Sequence, residues 1–536
     1  MTKATLLMAG VVAVGLTATA GAVNAEDIVI GAAAEPSAMD PHYHNLSPNN
    51  AIRNHIFESL VGQDETQRLY PLLAESWQPL DDTTWEFKLR EGVTFHDGTP
   101  FTAKDVIYTV CRIPNVPNSP SSFTAYTKAI ADMEAPDDHT LIIKTDGPYP
   151  LIPTELSTWG IVSAATMGIT GDIAFDRDGC TGIDSWPETD DFNNGTLMNG
   201  TGPYQFEEFV KGERLVLKKN PDYWGEVEPW DTVTYRPITS AGPRVAALLA
   251  GDVDLIEAPP VQDLPRLRED AAVDVVQGMS NRVIYLHMDQ HDSETPGITG
   301  VDGNPLLDIR VREALSKAIN REAIVAKIMD GVAVPAGELL PPGMFGANPL
   351  EPDPYDPAAA KALLAEAGYE DGFEVVIGTP NDRYMNDAKV AQAIAQMFTQ
   401  VGLPTTVDAT TKSVFFSRRN NYEFSVYLAG WGAGTGEMSS PLKALVASPI
   451  PEKGYGGTNR GRYSDPTFDA MLDEALSTVD EAAREAVLQK ASAYAMEQYA
   501  ILPLHFEVTP WAFRQGLTYT PRADQYTLAM GIRPAE

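Results

Sequence analysis

Residues 373–407, FEVVIGTPNDRYMNDAKVAQAIAQMFTQVGLPTTV, hold the most informative local pattern in the chain. Phe373 to Ile377 is a compact run rich in β-forming residues, and Thr405 to Val407 is a second one. Between them, Asn386 and Asp387 precede Val390, Ile394, Met397, Phe398 and Val401, which recur at helical spacing and stop at Gly402. Strand, helix and strand in that order predict an α/β unit. Asn381-Asp382-Arg383-Tyr384 falls between the first strand and the helix, in a non-periodic stretch of the kind where binding groups lie.

The same grammar recurs on either side. Asp308 before Val311, Leu315, Ala318 and Ile319 gives a cap and an apolar face. Asp356-Pro357, then Leu363, Leu364 and Ala367 up to Gly368, supplies cap, first-turn proline and terminal glycine in order. Thr102 and Asp105 have capping-box spacing ahead of Val106 and Ile107. Asp27 to Ala33, Trp85 to Leu89 and Arg214 to Lys218 read as strands, and Arg244 to Ala250 as a short helix closed by Gly251. The region from about 280 to 500 is thus alternating α and β, and a second α/β region occupies about 196 to 275. The stretch 111–196 is rich in Pro, Gly, Asn and Asp, poor in periodic signal, and predicts a loop-rich accessory domain.

The chain has 536 residues, with 39 Lys+Arg against 74 Asp+Glu, a net charge of −35. A protein that binds nucleic acid clusters basic side chains along the phosphates, so this balance argues against such a partner. Eight Trp, 20 Tyr and 18 Phe are too many for a disordered acidic chain. At the start, Lys3 precedes an uncharged run from Ala4 to Val23, and Val23-Asn24-Ala25 offers small residues where a signal peptidase reads. Residues 1–25 are therefore expected to be a signal peptide cleaved after Ala25; the alternative, a retained anchor, needs roughly 20 apolar residues, and the run is only at that edge. No cysteine lies near the cleavage site, so no lipid attachment is expected. Export makes Cys111 and Cys180 a candidate disulfide, with two buried free thiols as the alternative.

Catalytic patterns are lacking. There is no HExxH, GxSxG, GxxxxGK[ST] or CxxC. His42 with His44 and His287 with His291 have ligand-like spacings without an acidic or cysteine partner set, and read as surface or rim histidines. No metal, cofactor or catalytic residue is expected. Gly432-Ala-Gly434-Thr-Gly436 lacks the lysine of a phosphate loop and predicts a tight turn beside something that approaches closely. Arg383 suits a bidentate grip on a carboxylate, the plainer alternative being a salt bridge with one of the 74 acids; Tyr384 and Trp431 suit the wall of a pocket.

Phe57-Glu-Ser-Leu60, Pro71-Leu-Leu-Ala-Glu-Ser-Trp77, Phe87-Lys-Leu-Arg-Glu-Gly-Val93, Phe95-His-Asp-Gly98 and Thr102-Ala-Lys-Asp-Val106 resemble the N-terminal signature of family 5 extracellular solute-binding proteins, the dipeptide, oligopeptide and nickel-type components of ABC importers. Thr201-Gly-Pro-Tyr204, Asn220-Pro-Asp-Tyr-Trp-Gly225, Ala247-Leu-Leu-Ala-Gly251 with Asp254, Val311-Arg-Glu-Ala-Leu315, Ala318-Ile-Asn-Arg321 and Ile501-Leu-Pro-Leu504 extend the likeness over the mature chain. The resemblance implies a cluster C, type II periplasmic binding protein fold: two α/β lobes with an extra domain inserted in lobe I. Its boundaries would be 26–58, 196–278 and 505–536 for lobe I, 59–195 for the insert, and 279–504 for lobe II. It implies a monomer that captures a small peptide or peptide-like solute between its lobes and hands it to an inner-membrane permease, without enzymatic chemistry. An opine, an oligosaccharide or a metal chelate are alternative cargoes, and a secreted hydrolase the alternative class.

Arg383 looks like the family position that binds a peptide carboxylate, with Tyr384 beside it. The family's Gly-Trp segment normally runs on to an Asp for the peptide amine. Here Gly430-Trp431-Gly432 continues without an Asp as far as Glu437, which is the candidate replacement. Trp431 and Gly432 are expected to line the cleft, and Tyr43, Tyr126 and Trp159 are weaker candidates.

Overall fold

The computed structural model describes residues 27–291 and 294–535, so the expected signal peptide lies outside the described residues. Most strands join one twelve-stranded sheet. On one flank, Asp27–Ala32 runs parallel to Thr232–Pro237 and Leu255–Glu257, followed outward by Arg214–Lys219 and Tyr204–Val210. On the other flank, Glu374–Pro380 runs parallel to Thr405–Thr410, with Val375 opposite Thr405, and to Val426–Gly432. The αβ unit predicted at 373–407 is present, its helix spanning Asp387–Gln400.

Two long antiparallel strands, Val273–Met288 and Leu502–Arg514, join the flanks. Residues 273–279 pair with 508–514 on the first flank; on the second, 283–286 pair with 502–506 and 282–288 with Val426–Gly432. The register slips between Met279 and Val283. Unpaired residues at such a slip bend a strand, so the turn from one lobe to the other is built into the ladder itself.

Each flank has its own core. Ile28, Ile30, Val233, Leu255, Trp511 and Phe513 pack together in lobe I. In lobe II, successive residues of one strand serve opposite cores: Val283 and Tyr285 face the helices Pro466–Ser477 and Glu481–Glu497, while Ile284 and Leu286 face Ile309–Ala318, Pro357–Glu366 and Asp387–Gln400. That two-sided burial explains why the segment reads as an apolar run rather than an alternating one. The caps are local. The Asp308 carboxylate accepts from the Arg310 N–H at 2.9 Å, Asp356 accepts from the N–H groups of Ala358 and Ala359, and the Thr102–Asp105 capping box is formed.

Asn386 departs from this grammar. Its backbone is left-handed (φ +54°), it makes no cap bond, and its amide donates to the Ile328 carbonyl at 2.9 Å.

The inserted domain carries a four-stranded antiparallel sheet in the order Ala74–Asp81, Thr84–Leu89, Thr140–Thr145, Ile130–Asp137. Its core includes Phe87, Phe95, Phe101, Leu141, Ile143 and Trp159. The expectation of a loop-rich 111–196 is corrected here, because 130–145 forms a hairpin. Pro136-Asp137-Asp138 breaks its alternation, which hides the strand signal. From Asp146 to Gly202 the chain is largely irregular, with short helices at Ile152–Glu155 and Thr189–Asn193. Cys111 and Cys180 are disulfide-bonded, 6.0 Å apart at Cα, which ties this irregular stretch to the helix Ala103–Arg112.

The surface reading of two histidines is also corrected. His42 is fully buried: its Nδ1 accepts from Arg112, whose guanidinium also grips the buried Asp40 carboxylate at 2.7 Å, and its Nε2 donates to the Gly160 carbonyl. His287 is fully buried against the Tyr427 hydroxyl at 2.8 Å. Burial holds both rings neutral, with pKa values near 3.

Candidate functional site

The helix Ser47–Ile56 carries its polar residues Asn50, Arg53 and Asn54 toward the junction of lobe I and the insert. There they border a cavity of about 270 Å³. Glu58, Tyr70, Tyr126, Tyr223 and Arg522 line it further, and lobe II contributes Gly434. The charged groups are held firmly. Glu58 accepts from the Tyr223 hydroxyl at 2.8 Å and the Trp224 indole at 2.9 Å. Burial nevertheless pushes its carboxyl up to about 7, against the pull of those donors. Arg522 pairs with Asp524 at 2.6 Å and donates to the carbonyls of Gln63 and Asp64.

Between this cavity and the bend, the insert and the strand Val273–Met288 clasp the glycine-rich turn of lobe II. Gln67 donates to the Gly434 carbonyl at 3.0 Å, Gln63 to that of Thr435 at 3.2 Å, and Asn281 to that of Ala433 at 3.0 Å while also reaching Gln67. Gly436 has φ +72°, and a Cβ there would lie 2.5 Å from Gln67 Cβ. The close approach expected from the run of glycines is therefore the hairpin of the insert. At the bend itself, Arg282 pairs with Glu507 at 3.2 Å. Burial raises the Glu507 carboxyl, while Arg282 and Arg383 pull it down.

The residues predicted from sequence scatter around this region. Arg383 is exposed, stacks over the Tyr384 ring at 5.0 Å, and does not border the 270 Å³ cavity. Its loop is fixed by Asp387, which accepts from the N–H groups of Arg383 and Tyr384, both at 3.0 Å. Tyr384 is buried in the lobe II core, with its hydroxyl donating to the Gly430 carbonyl at 3.3 Å. Trp431 is half-buried and its indole donates to Ser440. Gly432 lies opposite Arg282 in the ladder, and a Cβ on it would stand 3.0 Å from the guanidinium.

Glu437 is 3% exposed and ion-paired with Arg484 at 3.0 Å, and it also accepts from Thr154 and Ser439. Its carboxylate is thus committed to the insert–lobe II contact rather than presented bare to a ligand amine. Trp159 is fully buried in the core of the insert, so its ring faces no cleft. Tyr43 is half-buried, with its carbonyl accepting from Ser119. Of the weaker candidates, Tyr126 does line the cavity.

Arg53, Glu58, Tyr70, Tyr223 and Arg522 were not singled out from sequence as site candidates. Glu58 and Tyr223 belong to the Phe57–Leu60 and Asn220–Gly225 motifs, and their mutual bond gives those motifs a physical reason. Arg53 and Arg522 carried no local signal. Among the described residues no helix is long and apolar enough to cross a membrane, and no group of three metal-ligating side chains is found.

The family of bacterial extracellular solute-binding proteins, family 5 (middle region), matches residues 68–451. The glutathione-binding protein GsiB of Escherichia coli (strain K12) is 29% identical over 524 residues, covering 95% of each chain. HbpA2 from Haemophilus parasuis superposes with a TM-score of 0.80 at 22% identity, covering 95% of this chain and 100% of its own. The periplasmic binding protein DppA from Helicobacter pylori, in complex with the peptide STSA, gives 0.70 at 23% identity, covering 95% and 98%. The two lobes, the two strands that cross between them and the inserted domain are those of a type II periplasmic binding protein, and the chain belongs to the family 5 extracellular solute-binding proteins.

Proposed function

We propose that this protein is the solute-capturing component of an ABC importer and takes a short peptide or peptide-like solute. The observation that carries the reading is the polar cavity of about 270 Å³ where lobe I and the insert meet, walled on one side by Gly434 of lobe II. A ligand there touches both lobes, so it favours the closed state by its extra contacts, and that state is what a permease reads. The similarity to a glutathione-binding protein and to a peptide-bound DppA supports the peptide class. On this reading Arg383, with Tyr384, Trp431 and Gly432 around it, meets a ligand carboxylate when the lobes close. Binding is the whole task; no covalent step is involved. The protein works as a monomer in the periplasm after cleavage at Ala25, with lobe I formed by 26–58, 196–278 and 505–536, the insert by 59–195 and lobe II by 279–504.

The test is a thermal-shift screen with glutathione, di- and tripeptides, opines and oligosaccharides, followed by small-angle scattering with the hits. A hundredfold excess over Kd is expected to stabilise the protein by about 2.7 kcal/mol. The radius of gyration should fall on binding. Stabilisation by sugars or opines alone would sink the peptide reading while leaving the transport role intact.

A further inference from the structure

Five charged side chains border the cavity: Arg53, Glu58, Glu228, Arg522 and Asp524. Three are ion-paired, and the carboxyl of Glu58 is held by neutral donors. Arg522 pairs with Asp524, Glu228 accepts from Arg533 at 2.9 Å, and Glu58 holds the Tyr223 and Trp224 donors. Arg53 differs. It is 6% exposed, and among the described residues no carboxylate oxygen lies within 4.0 Å of its guanidinium. Its hydrogen bonds go to neutral acceptors, the Thr158 carbonyl through Nη1 and the Asn54 amide oxygen through Nε and Nη2. Phe123 lies 5.8 Å beneath it. Of its five N–H donors, three are engaged in this way.

A buried cation without a counter-charge is costly unless a partner arrives. Around it stand neutral donors and acceptors: Asn45, Asn50, Tyr126, Ser157 and Tyr526. Asn50 donates to the Asn45 amide oxygen and to the Tyr526 hydroxyl, so this wall is ordered before any ligand enters. Arg53 is the one cation of this lining without an ion-pair partner, so it can take up a negative charge, and guanidinium geometry matches the two oxygens of a carboxylate.

We propose that Arg53 is a ligand-binding residue that seats a carboxylate of the solute inside this cavity, on the opposite lobe from Arg383. The inference rests on the reading of the cavity as the solute chamber. It explains why a guanidinium is kept buried on a short helix where a neutral residue would cost the fold less. Burial draws the Arg53 pKa down to about 10, well above the working pH, so the charge is always present.

The test uses the full mature chain, as wild type and as Arg53→Gln, Arg53→Lys and Arg383→Gln. The probes are glutathione and trialanine, each as the free acid and as the C-terminal amide, with affinities read by calorimetry. Wild type is expected to bind the acids about thirtyfold or more tightly than the amides. Arg53→Gln should lose at least tenfold of that preference and bind the amides as wild type does, the remainder being carried by Arg383 closing on the same carboxylate, while Arg53→Lys should keep more of it. Without ligand, Arg53→Gln should melt at or above the wild-type temperature, since it removes an uncompensated charge. An Arg53→Gln protein that still prefers the acids as strongly as wild type, with the preference lost only in Arg383→Gln, overturns the proposal.

If no peptide stabilises wild type, the peptide reading fails, and acetate, glutarate and citrate decide the fate of Arg53. Stabilisation by a carboxylate that disappears in Arg53→Gln sustains the seat. Equal shifts in both proteins, none in either, or a shift with inorganic phosphate alone overturns it.

Discussion

Glu155 sits where the insert meets lobe II, beside Thr154, whose hydroxyl donates to Glu437 at 3.1 Å. One Glu155 oxygen accepts from the Tyr149 hydroxyl at 2.6 Å, and the other is buried with no hydrogen-bond partner. Burial pushes this carboxyl up from 4.5 to about 8, with Tyr149 and Lys443 opposing the shift and Glu437 adding to it. The folded state therefore keeps a proton that the unfolded chain releases, and stability falls as pH rises from about 4.5 to 8. Glu155→Gln is expected to be more stable than wild type by roughly 5 kcal/mol at pH 9 and indistinguishable from it near pH 4. Urea denaturation at both pH values checks this; an advantage independent of pH would mean that the carboxyl is not the source. The neighbouring Glu437 illustrates the limit of residue-by-residue reading. Its place in the sequence, six residues after Trp431, suggested a ligand contact, yet the Arg484 guanidinium on a distant helix claims its charge.

Helix boundaries follow from local chemistry wherever the capping side chain's partners are themselves local, as with Asp308 and Arg310. Asp308 caps the helix Ile309–Ala318 through the Arg310 N–H, and its cost of removal is a property of that helix start. Asp308→Ala is expected to lower stability by about 1 kcal/mol without changing solute affinity, as chemical denaturation and calorimetry together will show. Asn386 has the composition of a cap and fails as one because the Ile328 carbonyl captures its amide, a contact 58 residues away that no window of sequence contains. The strand Val273–Met288 shows the complementary case. Its service to two cores and to both lobes depends on the partner strand Leu502–Arg514, more than 200 positions later.

At the scale of the whole molecule, one device joins the two lobes and another closes the insert on itself. One is the bent two-stranded ladder between the lobes, and the other is the bond from Cys111 to Cys180, which closes a loop across 69 positions through the irregular part of the insert. In the chain-entropy account a loop of that length is worth about 4 kcal/mol. Reduction, or Cys111→Ala with Cys180→Ala, is expected to lower the Tm and to expose 146–203 to protease before the lobes unfold. Proteolysis that begins in lobe II instead would contradict this. By itself the sequence determined the α/β class, the caps at Asp308, Asp356 and Thr102, the glycine turn at 432–436 and the family, because each is written in neighbouring residues or in short motifs of fixed spacing. The tertiary structure alone decided which charges are spent and which are left over. Glu437 and Arg383 look equally available in the sequence, and nothing there marks Arg53. Whether a charge is compensated depends on partners that folding brings from hundreds of positions away, and on burial, which no local pattern encodes.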